Sequence, residues 1–289
     1  MKGLVWTAAT RRVVPAAEAK VPYGLPGVLF GASLFETLRV IEGRFFRLER
    51  HLERLERAAE SMGWVPPARE TVVEGLARVL QDPGLEGKDL RVRITLLDCG
   101  DGRVPETIVW AGPYVPPSPD LYRRGVPAVI APYRLDETAP WTTLKTGNRL
   151  IHQTARRRAE RDGAWEALLL NTRGRLADGA ISNIFFVSGG VLCTPGVDMG
   201  ALPGIVRDAV ADLVGELGLS WRPGAYEPQD LYAADEAFLT NALIGVVPLV
   251  CVDGRRIGSG VPGRLTQELK DLYERLRERE AKLLDAWLP

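Results

Sequence analysis

Lysine is scarce in this chain: six stand against thirty-one arginines, and Lys145 is the only one between Lys88 and Lys270. Arginine serves as well on a solvated face but stays charged, whereas lysine can be desolvated to a neutral amine and can form a Schiff base. An isolated lysine in a chain whose ordinary cation is arginine therefore marks a candidate for chemistry. Cysteine is scarce too. Cys99, Cys193 and Cys251 are odd in number and far apart, which excludes a disulfide framework and points to a reducing compartment. Two histidines, His51 and His152, are too few for a typical zinc cluster, so no metal is expected. No apolar run approaches the ~20 residues of a membrane span, and residues 1–6 lack the apolar core of a signal peptide. A cytoplasmic protein with no membrane partner is the expectation. The formal net charge is zero, which argues against nucleic acid, since that partner needs a concentrated positive field. Gly-x-Ser-x-Gly, Walker and dinucleotide fingerprints are missing, as are internal repeats.

What is present reads as ordinary globular material. The 289 residues are 46% hydrophobic and 26% charged, with room for two domains. Residues 31–48 form a hairpin around Glu42-Gly43, with Leu34, Glu36, Leu38 and Val40 on one face and Phe35, Thr37 and Arg39 on the other. Helices are expected over 47–62 and 67–82, strands over 89–98 and 107–111. Gly112-Pro113-Tyr114-Val115-Pro116-Pro117-Ser118-Pro119 is the richest proline stretch and the best boundary. The expected organisation is an α+β domain over 1–112, a linker over 113–120 and a larger domain over 121–289. In the larger domain, strands are expected at 127–132, 167–170, 184–187, 236–239 and 246–252. Its helices are expected over 148–162, 202–217 and 262–286.

Several residues stand out within that frame. A strand offering Glu on one face and Thr and Arg on the other could line a polar pocket or be an exposed edge; its pattern leaves both open. His51 and Arg54 lie three apart on the flank of a helix, where a cation reaches an anion or simply meets solvent. Leu202-Pro203-Gly204-Ile205-Val206 starts a helix with Pro203 read as its first residue, and the glycine lets an anion approach the free N–H groups of the first turn. Thr240-Asn241 ends a strand with further polar donors.

Taken in order, six segments resemble the class IV, or fold type IV, pyridoxal-phosphate aminotransferase family. They are Phe35-Glu36-Thr37-Leu38-Arg39-Val40 with Glu42-Gly43; His51-x-x-Arg54-Leu55; Lys145-x-x-Asn148; Asp178-Gly179-x-x-Ser182-Asn183-Ile184-Phe185; Leu202-x-Gly204-Ile205-x-Arg207; and Thr240-Asn241 with Pro248. The resemblance implies a two-domain α+β fold, the larger domain built on a barrel-like sheet with flanking helices. It also implies a pyridoxal 5'-phosphate cofactor, a small amino substrate and a homodimer. By position, Lys145 would hold the cofactor aldehyde and carry the proton at the substrate carbon. Arg54, the backbone of Gly204, Ile205 and Val206, and Thr240 would seat the phosphate, with Ser182 and Asn183 beside the cofactor. Asp178 would face the pyridine nitrogen, where the family usually has glutamate. Glu36, Arg39, Arg91, Arg93 and Asn241 are candidates for the substrate pocket.

The resemblance also bears on the reaction. Lys145-Thr146-Gly147-Asn148-Arg149-Leu150 and Thr240-Asn241-Ala242-Leu243 are similar to aminodeoxychorismate lyases, which make p-aminobenzoate and pyruvate for folate biosynthesis. The arginine-glycine pair with which D-amino acid aminotransferases grip a carboxylate is replaced by Leu97-Asp98-Cys99-Gly100. Arg91 and Arg93 could hold a carboxylate, as an arginine in this strand does in branched-chain enzymes. The lyase is the favoured expectation, and a branched-chain or D-amino acid type transaminase the alternative.

Overall fold

A computed structural model describes residues 3–287. Residues 1, 2, 288 and 289, at the outer ends of the expected domain ranges, lie outside the described residues. In chain order the elements begin with β1 (Leu4–Thr7), β2 (Val13–Pro15), α1 (Pro26–Leu29), β3 (Ser33–Ile41), β4 (Arg44–Phe45), α2 (Leu48–Ser61), α3 (Arg69–Leu80), β5 (Leu90–Leu97) and β6 (Glu106–Pro113). They continue with α4 (Pro119–Arg124), β7 (Val126–Leu135), α5 (Leu150–Arg161), β8 (Glu166–Asn171), β9 (Leu176–Gly179), β10 (Asn183–Ser188), β11 (Val191–Pro195) and α6 (Ile205–Glu216). The last are β12 (Trp221–Gly224), α7 (Pro228–Tyr232), β13 (Glu236–Asn241), β14 (Gly245–Val252), β15 (Arg255–Arg256), α8 (Arg264–Glu280) and β16 (Lys282–Leu283).

Two compact units result. One holds residues up to Val115, Lys145–Asn148 and those from Arg277 onward; the other holds Pro116–Leu144 and Arg149–Leu276. The lysine segment and the C-terminal residues thus group with the first unit and not with the rest of the second half. The 113–120 stretch is not all connector: Pro113 ends β6 and Pro119 opens α4.

The first unit is a seven-stranded sheet in the order β16-β4-β3-β5-β6-β1-β2. Its alternation sorts side chains to two faces. Leu34, Leu38, Val40, Val92, Ile94, Leu96, Val109 and Trp6 are buried, together with Leu48, Leu52, Leu55 and Ala59 of α2 and Val72, Leu76 and Val79 of α3. Helix α3 comes very close at Gly75, where a Cβ would fall 2.5 Å from Trp6 Cε3 and 2.8 Å from Val109 Cγ2. The opposite face carries Phe35, Thr37, Arg39, Arg91, Arg93 and Thr95, paired across β3 and β5 as Phe35 with Thr95, Thr37 with Arg93 and Arg39 with Arg91.

The second unit is a nine-stranded sheet in the order β12-β11-β10-β13-β14-β7-β8-β9, with β15 paired to β14. Pairs β11/β12, β14/β7 and β7/β8 are parallel. Strands β8 and β10 are buried almost throughout, as continuous apolar runs such as Ile184-Phe185-Phe186-Val187 require. Strand β9, at one end of the order, also touches β10 and β11, so the sheet curls. Sequence patterning missed β9, β12, α4 and α7, which are too short or too polar to show a period. Pro203 is not the first residue of α6: Gly204 is its N-cap, in extended conformation, and Ile205 is the first helical residue.

Candidate active site

In the first unit the lysine segment is zipped onto β3. Along β3, strand β4 covers only Val40 and Ile41, leaving that edge of residues 33–35 uncovered by β4. Residues 145–147 take it: Leu34 and Thr146 form an antiparallel bridge. Phe35 N–H donates to Lys145 O at 2.9 Å, and Gly147 N–H donates to Ser33 O at 2.6 Å. Lys145 therefore lies opposite Phe35, with Nζ 4.9 Å from the ring centroid. The Arg93 guanidinium stands 3.6 Å from the same centroid, and its Nε donates to Thr95 Oγ1.

Arg54, Glu36 and His51 form one buried cluster on the helix side of the sheet. Arg54 Nε and Nη2 each donate to Glu36 at 2.7 Å, a two-pronged pair, and His51 Nδ1 lies 2.8 Å from Glu36 Oε2. Burial alone would raise the Glu36 pKa, but the Arg54 charge and the His51 contacts outweigh it and hold the carboxylate far below its usual range. Burial pushes the His51 pKa down, which favours the neutral ring with Nδ1–H donating to the Glu36 carboxylate. His51 is therefore a core residue and not a solvated flank.

The pocket expectations divide. Glu36 is not available to a substrate: it is 0% exposed, because it shares the helix-facing side of β3 with Leu34 and Leu38. Arg39 is on the open face, but its guanidinium is clamped by Asp89 and lies over the Tyr114 ring. Arg91 is half-buried on the same face, and its Nε is buried with no hydrogen-bond partner. Arg91 and Arg93 remain the cations this face presents beside Phe35 and Thr37.

In the second unit Asp178, on β9, is buried at 6% exposure. Its Oδ1 accepts from Asn183 Nδ2 at 3.0 Å and its Oδ2 from Leu202 N–H at 3.1 Å. Burial raises its pKa to about 7, against the opposing pull of Leu202 N–H, the Arg149 charge, Asn183 and Gly179 N–H. The sequence reading missed Arg149, which is partly buried, donates from Nη2 to Ala180 O, and has its pKa lowered to about 10 by desolvation. Asn183 Nδ2 also donates to Leu202 O at 2.8 Å, tying β10 to the chain that leads into α6. A Cβ at Gly204 would collide with the Asn183 amide oxygen, so the glycine is required by space.

The Ser182 side chain is held within the fold. Its hydroxyl donates to Glu166 Oε2 at 2.6 Å, and Glu166 also accepts from Ala167 N–H and Ile181 N–H. Glu166 is completely buried, and burial raises its pKa. It fixes the 179–183 turn. One signal could have found it: a lone acid at the head of Ala167-Leu168-Leu169-Leu170. Asn241 is likewise used by the fold. Its Oδ1 accepts from Leu243 and Ile244 N–H, and its Nδ2 donates to Ile181 O, so it builds a turn and does not present its amide to a substrate.

Two features of this unit suit a bound phosphate. Helix α6 starts at Gly204 with no side chain capping its first N–H groups, where the helix dipole is positive. Thr240 pairs with Asn183 in the sheet, and its Oγ1 is buried with no hydrogen-bond partner. A buried hydroxyl without a partner is costly unless a ligand satisfies it. The class IV aminotransferase model matches residues 33–251.

The chain belongs to the class IV aminotransferase family. It is a pyridoxal-phosphate-dependent enzyme. A putative branched-chain-amino-acid aminotransferase of Methanocaldococcus jannaschii is 31% identical over 93% of this chain and 95% of its own length. The aminodeoxychorismate lyase of Bacillus subtilis is 29% identical over 86% of this chain and 87% of its own. Among solved structures, a T.th. branched-chain amino acid aminotransferase with pyridoxamine 5'-phosphate superposes with a TM-score of 0.88 at 27% identity, covering 98% of this enzyme and 99% of that chain. No helix among the described residues is long and apolar enough to cross a membrane.

Proposed function

We propose that the enzyme transfers the amino group of a carboxylate-bearing amino acid to a 2-keto acid, with Lys145 as its catalytic amine. What carries the reading is the register that sets Lys145 opposite Phe35 with Arg93 over the same ring. An amine and a carboxylate-seeking cation thus share one face of one sheet. The branched-chain relatives, similar over nearly the whole chain, support transamination.

When bound, the cofactor supplies an aldehyde for the lysine amine and a ring that accepts the electron pair left at the substrate carbon. The chain's groups do the rest. Lys145 would hold the cofactor through its amine and, once the substrate amine has taken its place, would carry the proton from the substrate carbon to the cofactor. Asp178, kept ionised by a cationic ring nitrogen, would hold a proton on that nitrogen. The first N–H groups of α6 at Ile205 and Val206, and Thr240 Oγ1, suit the phosphate. Arg54 adds positive charge, its fork fixed by Glu36. Arg91 and Arg93 offer cations to the substrate carboxylate.

A second reading, aminodeoxychorismate lyase, rests on the Thr240-Asn241-Ala242-Leu243 segment and its turn closed by the Asn241 side chain. One experiment separates the two. The loaded enzyme is mixed with a branched-chain or acidic amino acid and no acceptor, and in parallel with aminodeoxychorismate. Conversion of the cofactor to its amine form by the amino acid alone supports transamination. Release of pyruvate and p-aminobenzoate without an acceptor overturns it in favour of the lyase.

A further inference from the structure

The bridge between β3 and residues 145–147 contains a contact too close for ordinary side chains. Gly147 lies directly opposite Ser33, as Lys145 lies opposite Phe35, and in an antiparallel pair all four project from one face. A Cβ at Gly147 would overlap Ser33 Oγ, stand 3.3 Å from Ser33 Cβ and lie 3.6 Å from Gly31 O. Gly147 has no positive φ, so its glycine is explained by space and not by backbone conformation. Ser33 is buried at 9% exposure, which limits where its hydroxyl can go.

We propose that Gly147 and Ser33 are a complementary pair of positioning residues that sets the depth at which Lys145 sits on the sheet. The proposal rests on Lys145 being the cofactor lysine. Two backbone bonds pin the segment, one at Gly147 and one at Lys145. A side chain at 147 must either displace Ser33 or lift the segment off β3. Lifting it breaks the Gly147 N–H bond first and then moves the Lys145 backbone two residues away. The Nζ position over Phe35 then changes although no group touching the cofactor has been altered. The strand takes one side chain of serine size at this contact, so bulk added at 147 should be tolerated only where bulk is removed at 33.

The test is a mutant cycle on the full-length enzyme. Wild type, Gly147→Ala and Gly147→Val are compared with the same two changes in a Ser33→Gly background; Ser33→Thr crowds the contact from the other strand. Pyridoxal phosphate is added to cofactor-free protein, the adduct is trapped with borohydride, and the labelled lysine is mapped and timed. In parallel, amide exchange is followed in the cofactor-free proteins. Trapping on Lys145 should slow about tenfold in Gly147→Ala and more in Gly147→Val, and recover to within about twofold when Ser33→Gly is added. Exchange at Phe35 and Gly147 should rise in the single variants and fall back in the double ones, while amides between β5 and β6 stay protected. Equal slowing with and without Ser33→Gly overturns the pairing, and so does unchanged trapping in Gly147→Val and Ser33→Thr. If the wild-type label maps to another lysine, the assignment of Lys145 itself fails. That result is distinct, because the exchange pattern in the cofactor-free proteins reads the contact independently.

Discussion

Asp178 shows how a single residue's surroundings set its chemistry. In the cofactor-free protein its folded pKa, about 7, lies above the ordinary 3.8. The folded state therefore holds the proton more tightly, a contribution fully present below pH 3.8 and lost as pH rises through 7. Asp178→Asn should flatten the stability of the cofactor-free protein across that window, as read by denaturant melts at stepped pH; an unchanged slope would assign the dependence to another group. In the loaded enzyme the same change should keep the lysine adduct's absorbance yet cut turnover by about a hundredfold or more. Unimpaired turnover would remove Asp178 from the ring nitrogen. Glu36 is the opposite case, a carboxylate held ionised by Arg54 and His51. Glu36→Ala removes the buried carboxylate that Arg54 and His51 share and should cost about 3–5 kcal/mol of stability, measured by urea titration. This cluster was only partly legible in the sequence. The motif His51-x-x-Arg54 was visible, but one residue of strand parity decided that Glu36 faces the helix and not a pocket.

At the scale of elements, the helices and long strands followed from apolar period. Leu48, Leu52, Leu55 and Ala59 recur at helical spacing, and β5 alternates through Leu90, Val92, Ile94 and Leu96. What the period did not show is how closely α3 approaches the sheet. Gly75 in a helix interior reads as a weak point, yet its missing side chain is where Trp6 and Val109 meet the helix. Gly75→Ala gains helix propensity of about 1 kcal/mol but overpacks the contact. The net effect should be a loss of about 1–2 kcal/mol, read from the shift in urea midpoint; a more stable variant would show that the helix can slide away. The same limit applied to β9. Four residues, Leu176-Ala177-Asp178-Gly179, are too few to carry a period, so the strand that carries Asp178 was not among those expected.

At the scale of the whole molecule, the first unit is assembled from three separate parts of the chain. Its last part contributes β16, paired to β4 through Lys282 with Phe45 and Leu283 with Arg44, and the Arg47–Glu280 ion pair at 2.7 Å. A chain stopped after residue 276 should therefore lose amide protection at β4 and the start of α2, while β10 and β13 of the other unit stay protected. Amide exchange with mass readout tests this, and equal loosening of both units would contradict the division. The proline-rich stretch from Gly112 marked one crossing between the units. The returns at residues 145 and 277 had no compositional signal, because each depends on pairing with residues distant in the chain.

The sequence by itself determined the class of chemistry: a rare lysine and six ordered motifs led to the family, and apolar spacing gave the main helices and strands. These are local properties, fixed by residue type and period. Only the tertiary structure decided which polar groups are used up in holding the fold, as Glu36, Arg39, Ser182 and Asn241 are, and which are left to act. It also decided that residues 145–147 bridge to the start of β3, with Gly147 packed against Ser33. Partnership and clearance between groups that folding brings together, from Glu36 with Arg54 to Gly147 with Ser33, arise from packing, and no local pattern encodes them.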